Sequence, residues 1–203
     1  IYEYIRTPLN FTRDELSFHV IDDKGCKADE LIKLVSRMEE KWNGQEKSKA
    51  GIIFTPTVNG EKGCHSLAGR LSASLDMDVR FFSGSPPKGV GLDGVTFDRY
   101  KRKVQDDFKD NKYSLLTATK AFGMGVNKAN VAYTIHYGVP GSMEAFYQEA
   151  GRAGRDKTLF TEEPADCFVL LTKEPGSDHV QKIWEKDINV NDLKEHAKGL
   201  SRN

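Results

Sequence analysis

The sequence predicts an α/β domain of three layers, a mainly parallel sheet flanked by helices. Two observations carry that prediction. Short runs rich in β-branched and aromatic residues alternate with longer stretches of helical spacing. Nearly every helical stretch sits between two strand candidates, which is the order of a βαβ unit.

The strand candidates are Ser17–Ile21, Gly51–Thr55, Val79–Ser83, Ser114–Ala118, Val131–His136 and Cys167–Leu171. Between the first two, Ala28, Leu31, Ile32, Val35, Met38 and Trp42 recur at the three-and-four spacing of one helix face, a core stripe. Asp29 and Glu30 favour the N-terminal end of that helix dipole. Further helices are predicted over His65–Leu75, Asp98–Asp110 and Ser142 to about Arg152. The stretch from Ser83 to Thr96, with Ser-Gly-Ser-Pro-Pro and Gly-Val-Gly, reads as an irregular surface loop. After Thr172 the tail is charged, with weak helical patterning around Val180–Trp184 and Val190–Ala197.

The length of 203 residues suits one ordinary domain with short flanking additions. Lys and Arg number 30 and so do Asp and Glu, which removes the general positive field that many nucleic-acid binders use. Contact with a nucleic acid must therefore be local. The basic run Arg99, Lys101, Arg102 and Lys103 is followed by Asp106 and Asp107, so it reads as a solvated helix face. Cys26, Cys64 and Cys167 lie far apart without a C-x-x-C pair, so neither a disulfide framework nor a zinc site is legible. The histidines likewise lack metal-ligand spacing. No apolar run is long enough to span a bilayer and no signal-peptide layout opens the chain, so no membrane partner is expected and the expected location is the cytoplasm or nucleoid, or the nucleus in a eukaryote.

The chemistry concentrates in two segments. In Gln148-Glu149-Ala150-Gly151-Arg152-Ala153-Gly154-Arg155-Asp156, two glycines fall inside the predicted helix, each costing about 1 kcal/mol there relative to alanine. Glycine lets another backbone or a phosphate come close. On a continuous helix Gln148, Arg152 and Arg155 share one face; if the helix frays near Gly154, Arg155 projects from its end. Guanidinium suits polyphosphate because its planar fork offers several donors and keeps its charge. Pairing of these arginines with Glu149 and Asp156 on a surface helix is the plainer reading, but it explains neither glycine.

The second segment, Leu116-Thr117-Ala118-Thr119-Lys120-Ala121-Phe122-Gly123-Met124-Gly125-Val126-Asn127-Lys128, leaves a strand end and enters a glycine-bearing loop. Open α/β sheets bind ligands at such ends. A nicotinamide-dinucleotide fold is disfavoured, because no third glycine opens a long helix and a strand follows at Val131.

Together the two segments resemble motifs V and VI of superfamily 2 helicases, specifically the RecQ family. Ile135-His136-Tyr137, Pro140, Ser142, Glu144 and Tyr147 fall in the family's order, and Gly51–Thr55 with Thr57 resembles motif IV. The resemblance covers roughly residues 51–172 and implies a RecA-like fold and a 3′-to-5′ DNA-unwinding motor, with ATP and Mg2+ bound between two lobes. The phosphate loop and metal-binding carboxylates belong to the first lobe of such a motor, and this chain contains no G-x-x-x-x-G-K-[ST]. The chain thus resembles the second lobe: residues 1–16 are expected to be a linker from a first lobe, 17–172 the RecA-like domain, and 173–203 a tail or the start of another domain. Expected partners are that first lobe and single-stranded or partly duplex DNA, and the isolated chain is expected to be inactive.

By position, the resemblance implies Arg155 as the arginine finger, and Arg152 with Gln148 as organisers of the interlobe ATP site, alongside Gly125 and Asn127. Thr57, Ser83, Thr119, Phe122, Gly123 and His136 are implied on the side of the DNA strand, His136 as a coupling residue. Asn127 stands where the family usually has aspartate. The histidine near Ser83 is missing, Pro86–Gly94 is an insertion, and Lys157–Pro164 lengthens the loop after motif VI. The tail supplies no cysteine-ligated zinc subdomain. The alternative is a non-catalytic RecA-like module that binds nucleic acid.

Overall fold

The computed structural model describes residues 13–42, 49–123 and 127–172. Six strands form one sheet: β1 (Leu16–Asp22), β2 (Ala50–Phe54), β3 (Val79–Phe82), β4 (Leu115–Ala118), β5 (Val131–His136) and β6 (Ala165–Leu171). Four helices accompany them: α1 (Lys27–Trp42), α2 (Cys64–Leu75), α3 (Gly94–Lys109) and α4 (Met143–Ala150). The strand order is β1-β6-β5-β2-β4-β3, and every pairing is parallel. Parallel strands need crossovers, and helices on both faces bury the sheet. Accordingly β2, β4 and β5 are buried throughout.

α1 buries Leu31, Leu34, Val35, Met38 and Trp42, so Leu34 joins the expected stripe while Ile32 is only partly covered. α3 starts four residues before the expected Asp98. Asp93 causes the shift: its carboxylate accepts the Thr96 amide at 2.7 Å, an N-cap that sequence spacing passed over. The basic run on α3 is solvated as expected, with Lys101 pairing Asp98 at 2.7 Å. α4 ends at Ala150, short of the expected Arg152. The helical patterning read in the tail lies outside the described residues.

Gly51 shows how tightly the middle of the sheet is packed. β2 lies beside β5, and a Cβ on Gly51 would fall 2.1 Å from the Tyr133 ring. That ring is 1% exposed, and its hydroxyl donates to Glu39 of α1 at 2.6 Å. Glycine is therefore required for volume here, and a side chain must displace the ring from its place under α1. Gly51→Ala is expected to destabilise the domain by about 3 kcal/mol or more, measured as the urea midpoint.

Cys64 and Cys167 are buried free thiols, and burial pushes both up to about 11. Cys26 is free and exposed. A raised folded-state value means the unfolded chain loses these protons first, so their contribution is complete below the ordinary thiol range and is lost as pH rises toward 11. Between pH 8 and 10.5 the unfolding free energy should fall by about 2 kcal/mol for each thiol. Cys64→Ala and Cys167→Ala should each flatten that slope in denaturation series run at the two pH values.

Candidate functional site

Because all six strands point the same way, their C-terminal ends line one edge of the sheet and their N-terminal ends the other. This divides the candidate residues into two groups. Thr57, Ser83 and Thr119 follow β2, β3 and β4, and His136 ends β5, so all four belong to the C-terminal edge. Thr57 is exposed, and its hydroxyl donates to the Asn59 carbonyl at 3.0 Å. Ser83 is buried, its hydroxyl donating to the Ser85 carbonyl at 2.6 Å. The Thr119 amide donates to Phe82 across the sheet at 3.1 Å, and its carbonyl accepts from Phe122 at 3.0 Å.

The short 3-10 turn Lys120–Gly123 carries Phe122, whose ring is 1% exposed and meets Phe82 and Phe108 edge-on. Phe122 is a core residue, and its ring offers no face to a strand. The ring is thus packed into the core, while the Thr57 hydroxyl at the same edge is exposed. His136 is 2% exposed. It stacks on Phe54, meets the edge of Phe146 and sets Nε2 3.0 Å from a Glu149 carboxylate oxygen. Those contacts join the C-terminal end of β5 to α4.

α4 returns toward the N-terminal edge, where Gly154 donates its amide to the Val131 carbonyl at 3.1 Å. The expected glycine-broken helix is not found. α4 stops at Ala150, Arg152 and Ala153 close short turns onto Glu149 and Ala150, and Gly154 takes the left-handed conformation at φ 61°. The glycines thus end the helix, which costs far less than interrupting it. Consequently Gln148, Arg152 and Arg155 do not share a helical face. Gln148 is exposed and donates to Glu144 at 3.1 Å, whereas Arg152 and Arg155 lie on the loop beyond the helix.

Arg155 donates from Nε to the Gly151 carbonyl at 3.3 Å and from Nη1 to Asn127 Oδ1 at 2.9 Å. The two motifs therefore meet through one side-chain bond, although Gly125 lies outside the described residues. Asn127 is followed by Lys128, a buried lysine whose ammonium donates to the Phe108 carbonyl at 2.6 Å and to Asn111. Burial lowers this amine to about 8. Lys128 anchors the end of the motif V loop in the core.

Sequence reasoning missed Arg13, which was placed in a linker. Its guanidinium donates to the carbonyls of Gly151 at 3.2 Å and Gly154 at 3.0 Å. Glu15 adds an ion pair with Lys157 at 2.5 Å. A Cβ on Gly154 would meet the Glu15 carbonyl at 2.8 Å and Leu16 at 3.0 Å. The glycine pair was a real signal of close approach, but what approaches is the chain's own N-terminal segment. No local pattern around Arg13 announces that partner.

Three guanidinium groups thus gather around one loop of a chain whose net charge is zero. Partial burial, then the neighbouring Arg155, lowers Arg152, while Glu149 opposes that shift. Partial burial, then Arg13, lowers Arg155. The mutual repulsion makes this a place where a polyanion is favoured. Among the described residues no group of His, Cys, Asp and Glu side chains could hold a metal, and no helix is long and apolar enough to cross a membrane.

Comparison with known proteins agrees with this architecture. Residues 26–157 match the helicase conserved C-terminal domain. The chain is 40% identical over 195 residues to the ATP-dependent DNA helicase hus2/rqh1 of Schizosaccharomyces pombe, covering 95% of this chain and 12% of that protein. Against the ATP-dependent DNA helicases RecQ of Haemophilus influenzae and Bacillus subtilis, identity is 46% over 151 residues and 29% over 176 residues. These matches cover 66% and 85% of this chain, and 21% and 26% of the respective relatives, so the chain spans only a minor part of their length. In fold it is similar to the solved structure of S. cerevisiae Dbp5, with TM-score 0.60 at 18% identity over 86% of this chain and 40% of that one. It is also similar to domain 2 of the DEAD-box helicase Mss116p, with TM-score 0.56 at 20% identity over 78% of this chain and 55% of that one. The sheet order, the strand-end loops and the sequence matches agree, and the chain belongs to the helicase conserved C-terminal domain family as a RecQ-like member.

Proposed function

We propose that this chain is the second motor lobe of an ATP-dependent 3′-to-5′ DNA helicase. In this reading it supplies Arg152 and Arg155 to ATP held against a first lobe, and the C-terminal sheet edge to single-stranded or partly duplex DNA. The observation that carries the proposal is the convergence of motifs V and VI at the Arg155–Asn127 bond, amid mutually repelling guanidinium groups. ATP brings the hydrolysable γ-phosphate and its negative charge, which arginine donors balance as the bond to the leaving group opens. With Mg2+, the charge to be held is reduced but not removed, and the described residues offer no carboxylate cluster for the ion. That role falls to the first lobe.

Each residue then has a defined task. Asn127 holds the Arg155 fork by a neutral acceptor, so that contact adds no negative charge beside the guanidinium. Arg152, beside Glu149, completes the anion cradle and steadies the end of α4. His136 and Glu149 connect this cradle to the strand ends where DNA would run, so that a shift in α4 is felt at both places. On the DNA side, hydroxyls and backbone groups suit contact with the sugar-phosphate chain rather than base reading.

Two outcomes test the proposal. In a two-lobe protein carrying this chain, Arg155→Ala should preserve ATP affinity and cut DNA-stimulated turnover by about 10³-fold, with little rescue by Arg155→Lys. Arg152→Ala should show the greater loss of ATP affinity; parental turnover in Arg155→Ala refutes the finger assignment. The 203-residue chain alone should show no ATPase above background and should bind single-stranded DNA weakly. Tight, sequence-selective DNA binding without ATP-dependent unwinding by the two-lobe protein would favour a binding module instead.

A further inference from the structure

Arg13 reaches across the fold to a loop some 140 residues later in the chain, and its contacts have an unusual form. Its fork takes one carbonyl from each side of the motif VI turn, Gly151 at 3.2 Å and Gly154 at 3.0 Å. These carbonyls follow the end of α4, where the helix dipole is negative, so a cation is favoured there. The Gly151 carbonyl is also the acceptor for Arg155 Nε at 3.3 Å. One oxygen therefore serves both guanidinium groups, and Arg13 fixes the acceptor that orients Arg155. A Cβ on Gly151 would come within 3.2 Å of Arg13 Nη1, and one on Gly154 within 2.8 Å of the Glu15 carbonyl. Glu15 fastens the same segment, through Lys157 on the far side of the loop and through Ala165, whose amide donates to the Glu15 carbonyl at 2.9 Å.

We propose that Arg13 is a positioning residue of the nucleotide site, clamping the Gly151 and Gly154 carbonyls so that Arg155 is held in the orientation it uses. The clamp rests on the reading of Arg155 as the residue that meets ATP. Arg13 is itself a cation that repels Arg155. It therefore holds the loop in place while keeping the neighbouring guanidinium electrostatically disposed toward an anion. The residue's place just ahead of β1 makes it the point where the approach to this domain is tied to motif VI.

The test is a double-mutant cycle in a two-lobe protein carrying this chain. Arg13→Ala should lower DNA-stimulated kcat by about tenfold while changing the KM for ATP by less than about threefold. Arg13→Lys should restore little, because one ammonium does not reproduce a fork spanning two carbonyls. In the Arg155→Ala background, Arg13→Ala should cause no further loss; additive losses overturn the clamp. An independent reading is the 15N resonance of Arg155 Nε–H in the 203-residue chain. Arg13→Ala should abolish its protection from exchange and leave the sheet amides unchanged, and an unaffected resonance overturns the proposal. Should Arg13→Ala fail to fold, Arg13→Lys carries both measurements. If Arg155→Ala turns over ATP at the parental rate, the finger assignment fails, and the resonance alone decides whether Arg13 positions Arg155.

Discussion

The constraint on which the molecule depends is the common direction of its six strands. A parallel sheet makes every connection traverse the domain, so each strand delivers a loop to one edge and each return delivers a turn to the other. β2 is central to this arrangement, flanked by β5 and β4 and buried along its length. Its packing tolerates no error, because the Tyr133 ring occupies the space that a Cβ on Gly51 would need. The same directionality separates the chemistry. Hydroxyl-bearing strand ends collect at one edge and the arginines at the other, with α4 running between them.

In the proposed reading, that separation lets a chain with no net charge serve two anionic ligands. A uniformly basic surface would hold DNA and nucleotide without distinguishing their places. Here positive charge is concentrated where Arg13, Arg152 and Arg155 meet, and much of the remaining charge is paired. Asp107, for example, receives Arg80 at 2.6 Å and Lys112 at 2.7 Å. Local concentration within a screened whole gives a short-ranged site, effective only within about a Debye length of roughly 8–10 Å.

The fold was legible because it rests on periodicity, which is local. Among the described residues the strands and helices were read from apolar spacing, with boundaries displaced where a local feature set them, as the Asp93 cap does at the start of α3 and the glycine-bearing turn does at the end of α4. The motifs placed Arg155 and Asn127 together for the same reason, since each sits in a short ordered segment. What escaped was tertiary. The burial of Phe122 and His136 depends on which elements cover them, and nothing in the neighbouring sequence specifies that. Arg13 escaped because its partners are carbonyls on a distant turn, and a carbonyl has no residue type by which to be recognised.

The glycine pair and the asparagine together show why the surroundings of Arg155 take the form they do. An aspartate at position 127 would face Arg155 across the same 2.9 Å contact as a charge pair, stronger and partly neutralising. Asparagine keeps the direction of the contact and removes its charge, so orientation must be secured elsewhere. The carbonyls around Gly151 and Gly154 provide that security, being dipoles that orient a guanidinium without cancelling it. They lie beyond the early end of α4, where the bare Gly154 lets the Glu15 segment pack against the loop. Short helix, bare glycines, neutral acceptor and distant arginine thus converge on one task, setting the direction of the Arg155 guanidinium.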